Sequence, residues 1–430
     1  MFLYSKPERV QNCAGTVGLA YNNVVQIIVK TDGYTVTPPL ENIVDCVMSR
    51  YPQHPLSIEI YDWKIGRISL DSGCIDQRIL MTLAAYLEFF YTVVHRWQHV
   101  RFDGPLISII APMTKKFPSA GPTMLEGVAV KHTDSVRNVD VLRKFMSALW
   151  SGKSWAFSQF FIENYTVFDK QIFRDLPYAR LTQLEVQSTV TAALVHEILA
   201  EAFGMVKCTI SDVTGPCPSE RRLCAHTPNL EYLNLEIDTM DFDKSKRTGA
   251  VFSVLNKLVA PALTELRLGY EDAWNSQVFN EFCARSAFQL EVLHLVKMAM
   301  KPRHLAHTLS MNPTVHELVV EGQIKGTRRD QNDILFTEEL LAQLLVSPQG
   351  NHLSPDLDSL TVNICTVQAQ NGAFRRMVRD RFRNSNLRQV KIIGAQYLSE
   401  KDHTALVELA SYRMSVWLDS TRVVDPRWHW

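Results

Sequence analysis

A chain of 430 residues is long enough to bury a sizeable core, either as one extended array or as two or three compact domains. Lysine plus arginine equals aspartate plus glutamate at 45 each, so no global field draws the chain to nucleic acid or to an acidic membrane surface. An apolar content of 46% excludes a disordered chain, and no run approaches the roughly 20 apolar residues that a spanning helix needs.

Met1–Pro7 holds too short an apolar run for a secretory signal, and eight scattered cysteines fit reduced thiols of the cytoplasm or nucleus. Residues 1–94 read as a small α/β cap. It holds a strand over Val24–Val29, a helix over Leu40–Arg50, an alternating strand at Leu56-Ser-Ile58-Glu-Ile60 and a buried helix over Ile79–Val94. Trp97, Val100 and Phe102 then occupy the first, fourth and sixth places of a figure that recurs to the end of the chain. After a helix over Pro105–Phe117 the figure returns at Leu125, Val128 and Val130, followed by a helix over Val139–Leu149. Residues 150–178 are looser and aromatic, with room for one degenerate copy. The clearest copies are Leu230/Leu233/Leu235, Leu263/Leu266/Leu268 and Leu290/Leu293/Leu295. Looser ones start at Leu181, Phe203, Val315, Leu357 and Leu387. Helical stretches lie between them at Thr191–Phe203, Val251–Val259, Gln277–Arg285, Pro302–Leu309, Thr337–Val346, Ala373–Phe382 and Lys401–Arg413. Residues 415–430 are left as a tail.

Side chains alternate along a strand, so the fourth and sixth places of the figure face one way and the third, fifth and seventh the other. Repetition of such a strand, each followed by a helix, predicts an irregular leucine-rich-repeat solenoid over residues 95–414. Parallel strands form its concave face and helices its convex face. The ninth place, where asparagine or cysteine would bind the turn backbone, holds Thr189, Asp238, Glu271, Met298 and Ala395; only Cys365 fits, so the coil should be uneven.

The outward places predict a continuous polar surface for a protein partner, built from Gln183, Glu185, Tyr232, Asn234, Glu265, Arg267, His294, Glu317 and Lys391. Tyrosine and arginine are its expected anchors. No catalytic residue is assigned. There is no Gly-x-Ser-x-Gly elbow and no phosphate-cradling glycine loop, and His95 and His99, flanking Trp97, read as packing or capping residues. No metal or cofactor is expected either, because Cys217, Cys224 and His226 lack the paired spacing of a zinc site. The sequon Asn164-Tyr-Thr166 reads as chance. Arg375, Arg376, Arg379, Arg381 and Arg383 read as the solvated face of a helix whose inner stripe is Phe374, Val378 and Phe382; a weak phosphate-binding patch is the lesser reading.

Pro55-Leu56-Ser-Ile58-Glu-Ile60, then His95-Arg96-Trp97-Gln-His-Val100, then serial Leu-x-x-Leu-x-Leu units resembles the F-box proteins of mushroom-forming fungi. In that family a short F-box precedes a leucine-rich-repeat-like tail. The resemblance covers roughly residues 24–395, with Arg96-Trp97 its most specific part. It implies the substrate-selecting part of a ubiquitin-ligase subunit. Met1–Asn23 is shorter than an F-box and lacks its Leu-Pro-x-Glu signature, so the expectation is a repeat tail whose adaptor-binding part is missing. A Skp-type adaptor is then a partner only if an F-box lies upstream. The alternatives are a free-standing interaction scaffold and an enzyme on an unrecognised α/β fold, the latter requiring a deep pocket with convergent titratable groups.

Overall fold

A computed structural model describes residues 17–19, 24–31, 35–62, 77–103, 121–132, 139–151, 156–167, 176–216, 224–237, 249–270, 274–322, 334–346, 352–363, 367, 372–394, 398, 400–412, 414–419 and 421–422. The expected helix over 105–117 lies outside the described residues, as do Cys217 and Cys365. The chain is a mixed α/β protein dominated by parallel strand pairing, and its contacts divide it into two compact units, Met1–Thr189 and Val190–Trp430.

In the first unit, β2 (Val25–Thr31) pairs with β4 (Leu56–Asp62) in parallel, and the ladder continues in parallel through β5 (Trp97–Asp103), β6 (Gly127–His132) and β7 (Gln159–Val167) to β8 (Gln183–Thr191). Two short strands, β1 (Val17–Leu19) and β3 (Val36–Thr37), pair antiparallel with β2. The helices are α1 (Leu40–Val44), which runs on into one π turn over Asp45–Arg50, then α2 (Gln77–Thr92) and α3 (Val139–Ser151).

The second unit opens with α4 (Ala192–Glu201) and β9 (Lys207–Thr214). A parallel ladder runs from β9 through β11 (Tyr232–Glu236), β13 (Glu265–Gly269), β14 (Val292–Val296), β15 (Glu317–Glu321), β16 (Ser359–Asn363) and β17 (Gln389–Ile393) to β18 (Ser415–Leu418). A last short strand, β19 (Thr421–Arg422), turns back antiparallel on β18. Between strands lie α5 (Ala250–Leu255), α6 (Ser276–Ser286), α7 (Pro302–Met311), α8 (Glu338–Gln343), α9 (Ala373–Asn384) and α10 (Glu400–Ser411); β10 (Ala225–His226) and β12 (Leu258–Val259) form a separate parallel pair. Each of α4 to α10 packs on the next. Side-chain caps start three of them: Thr191, Asn275 and Thr337 accept from the backbone N–H three residues on.

The register explains the recurrent leucines. Leu233 lies opposite Leu266, Leu266 opposite Leu293, and Leu293 opposite Leu318; all are fully buried. The sixth places stack likewise through Leu235, Leu268, Leu295 and Val320. Several first-place residues close a turn onto the carbonyl three residues before them, as in Leu230 to Thr227, Leu263 to Ala260 and Val315 to Asn312. The second-place carbonyl of one strand then accepts from the second- and third-place N–H groups of the next. Glu231 O receives Thr264 and Glu265, and Glu291 O receives His316 and Glu317. A buried leucine column and a shared turn fix the register together, since a slip of one residue would turn every leucine outward.

Two expectations are corrected in phase or extent, and one is met. The copy assigned to Phe203, Val206 and Cys208 sits two residues later: Met205, Cys208 and Ile210 are buried, while Phe203 is 58% exposed. The aromatic stretch does hold a copy, Phe157/Phe160/Ile162, whose strand β7 joins β6 and β8. The figure also reaches further at both ends: Ile27 and Val29 stack on Ile58 and Ile60, and Val416 stacks on Val390. No helix among the described residues is long and apolar enough to cross a membrane.

Candidate functional site

With the leucines turned in, the third, fifth and seventh places of each strand face the other way. In the second unit the ladder brings six of the nine expected partner-binding residues together on β11 to β15. Tyr232 lies opposite Glu265, Asn234 opposite Arg267, and Arg267 opposite His294, with Glu317 on the next strand. Lys391 sits on the same face two strands beyond β15, between Thr361 and Trp417. Gln183 and Glu185 belong to β8 in the first unit, where Gln183 lies beside Gln159 and Glu185 accepts a hydrogen bond from Gln187 at 2.6 Å.

Five of the central six residues interlock. The Arg267 guanidinium holds Glu265 Oε1 at 2.6 Å and stacks 5.4 Å above the Tyr232 ring. On the neighbouring strand His294 Nε2 lies 3.0 Å from Glu317 Oε1. Burial pushes the His294 imidazole below its ordinary range and Arg267 adds to this, outweighing Glu317. The contact is therefore a neutral N–H donating to a carboxylate, not an ion pair at neutral pH. Burial likewise raises the Tyr232 phenol. Asn234, expected to be exposed, is only 8% exposed, and its Oδ1 has no hydrogen-bond partner among the described residues. It lies outward of the leucine core but sunk between its flanking side chains.

Sequence reasoning missed a set of carboxylates around this cluster. Glu231 and Glu291 occupy second places of the figure, Glu236 and Glu321 seventh places. His316 lies between Glu291, at 3.8 Å, and Asp358, at 3.6 Å. Aligning the copies on their leucines would have brought out these acids, two at second places and two at seventh.

Other expected features resolve into structure. Arg96, the most specific residue of the resemblance, is buried and donates to the carbonyls of His54 (2.9 Å), Val47 (3.2 Å) and Tyr51 (2.5 Å), fastening the turn after α1; Trp97 is buried beside it and donates to Phe90 O. His95 is exposed, and His99 faces Glu126 at 3.7 Å. The arginine cluster on α9 is not a uniform solvated face. Arg381 is fully buried and donates to the carbonyls of Leu344, Leu353 and Ser354, while Phe382 is only half-buried. The helix buries Phe374, Met377, Val378 and Arg381 instead. Arg375 and Arg379 turn to Asp402 and Glu408 on α10. Burial lowers the Arg381 pKa to about 10, so it stays charged at neutral pH.

Among the described residues no group of three or more His, Cys, Asp or Glu side chains is placed to hold a metal ion. A cavity of about 500 Å³ opens beside α5, α6 and α7, lined in part by Phe252, Trp274, Val278 and His304. His304 is the one titratable side chain in its described wall, and burial with nearby Arg303 and Lys301 lowers its pKa. A single neutral imidazole is not a paired acid and base. Comparison with protein-family models finds none that matches this chain, and comparison with curated proteins finds none that matches its sequence.

Proposed function

We propose that this chain is a protein-recognition module of the leucine-rich-repeat type, an irregular α/β solenoid that binds a partner polypeptide on the outward face of its parallel strands. The observation that carries the reading is the cluster of Tyr232, Glu265, Arg267, His294 and Glu317, five polar side chains from four adjacent strands. They are partly exposed and held against one another before any partner arrives. Preorganised aromatic and arginine side chains lose little freedom on binding and commonly dominate interface energies. The resemblance to F-box proteins adds the expectation that the bound protein is a ubiquitin-ligase substrate; without an adaptor contact the same face serves a free-standing scaffold.

A photo-crosslinking amino acid placed at Tyr232 should give a discrete adduct in cell extract, lost when Glu317→Trp is added to overfill the face. The same probe at Met311, exposed on α7, should give none of that species. Adducts from Met311 equal to those from Tyr232 would defeat the reading. Co-purification with a Skp-type adaptor would tie the chain to ubiquitin ligation; recognition without it favours the scaffold.

A further inference from the structure

We infer that the polypeptide taken by this face is rich in arginine or lysine. The inference rests on the recognition reading above and names the partner's chemistry. The chain as a whole is balanced at 45 basic and 45 acidic residues. The outward and edge positions of β11, β13, β14 and β15 are not. They carry Glu231, Glu236, Glu265, Glu291, Glu317 and Glu321 against one guanidinium, Arg267, one ammonium, Lys297, set 4.7 Å from the Tyr270 ring, and two imidazoles, His294 and His316. Arg267 is taken up by Glu265. Glu231, Glu236 and Glu321 have no ion-pair partner among the described residues, and the side chain of Glu291 is 56% exposed.

Asn234 supplies the independent observation. Its neighbours in the strand, Leu233 and Leu235, point into the core, so its amide points at this face, more than nine-tenths buried, with Oδ1 accepting nothing from the described residues. A buried acceptor left empty destabilises a fold, which a partner's N–H donor would relieve. Surplus carboxylates and an empty carbonyl ask for one thing, a chain of cationic donors. The same charge repels the phosphates of a nucleic acid.

The spacing suggests the probe. Glu231 and Glu291 stand two strands apart, as do Glu265 and Glu317, which is about 9.6 Å at the usual strand separation. A polyproline II peptide brings every third residue to one side at about 9.3 Å. A fluorescein-labelled peptide of Arg-Pro-Pro repeats should therefore bind the full chain in fluorescence anisotropy, and bind less as salt is raised. The matching Glu-Pro-Pro peptide should not bind. The exposed double reversal Glu231→Lys with Glu291→Lys should weaken the arginine peptide at least tenfold. Asn234→Leu should weaken it severalfold while leaving thermal stability equal or higher, an outcome that a purely structural asparagine would not give. Equal binding of the two peptides, or unchanged affinity in the double reversal, overturns the inference. If the Tyr232 crosslink persists in that case, the recognition reading survives and only the partner's chemistry is wrong; if the crosslink is lost as well, both fall.

Discussion

Arg381 gives the sharpest test of how the second unit is held. Its side chain is fully buried on α9, and its three donor nitrogens reach Leu344 O at 2.5 Å, Ser354 O at 2.6 Å and Leu353 O. These carbonyls end α8 and begin the turn into β16, so one guanidinium ties a helix end to the next strand's approach. Arg381→Met keeps the length and apolar stem but removes all the donors. Hydrogen bonds to a charged group contribute about 1.5–3 kcal/mol each. Against this, the variant no longer buries a cation, a desolvation of several kcal/mol. The net expectation is a loss of about 3–5 kcal/mol, because three buried carbonyls are each left without a donor at about 1–3 kcal/mol, partly offset by the desolvation no longer needed. That is a large share of the stability of an ordinary domain. Arg381→Lys should fall between, because an ammonium cannot fork to three separated carbonyls. Exposed Arg383→Met is the control, within about 0.5 kcal/mol of the parent. Urea unfolding followed by circular dichroism reads the difference as a shift in midpoint. If Arg381→Met unfolds with the parent, the guanidinium is not what fastens this turn.

The leucine columns and the outward face yield further tests. Leu293→Ala should cost about 3–5 kcal/mol in the same assay, while the adjacent His294→Ala should cost under about 1 kcal/mol; equal losses would place both on one side of the strand. Leu233→Asp and Leu293→Asp should each unfold the second unit by burying a carboxylate in the column. A histidine held below its ordinary 6.5, as burial holds His294, is protonated first in the unfolded chain. The stability it supports is whole above about pH 6.5 and is lost as pH falls below it, so the melting temperature should drop between pH 7.5 and 5.5. His294→Gln should shrink that drop, and an undiminished drop would show the wrong histidine was blamed. Gly127→Ala would place a Cβ 2.9 Å from His99 Nδ1 and should lower the first unit's stability, with relief in the double variant carrying His99→Ala.

The parity of the strands was legible from the first reading because leucine at places four and six leaves no other face to bury. Helix starts were read at Thr191 and Thr337, which the structure shows to be caps, whereas the helix read from Gln277 starts at Ser276 behind the cap Asn275. Phase was legible only where leucine marked it: at β9 the inward residues are Met205, Cys208 and Ile210, and the aromatic Phe203 drew the reading two residues early. Arg381 could have been suspected, since it lies three residues beyond Val378 and seven beyond Phe374, on the stripe that α9 buries. Its reason for being there could not, because the carbonyls that receive it come from residues 344, 353 and 354. Arg96 repeats the lesson in the first unit: the residue most specific to the family resemblance fastens a turn. Of the face itself, the six central residues were readable from alternation, but the burial of Asn234 and the pairing of Arg267 with Glu265 depend on side-chain packing across neighbouring strands.

The proposed recognition face stands on the register that sets Arg267 beside His294 and turns both outward. Parallel neighbours lie about 4.8 Å apart, inside the roughly 4.4–6.8 Å between Cα atoms that a disulfide spans. A diagonal pair two residues out of register is about 8 Å apart and cannot be bridged. Arg267→Cys with His294→Cys, treated with a mild oxidant and read by peptide mass spectrometry, should form the cross-link; Arg267→Cys with Val292→Cys should not. A bond in the second pair and none in the first would contradict the stacking on which the proposed recognition face depends.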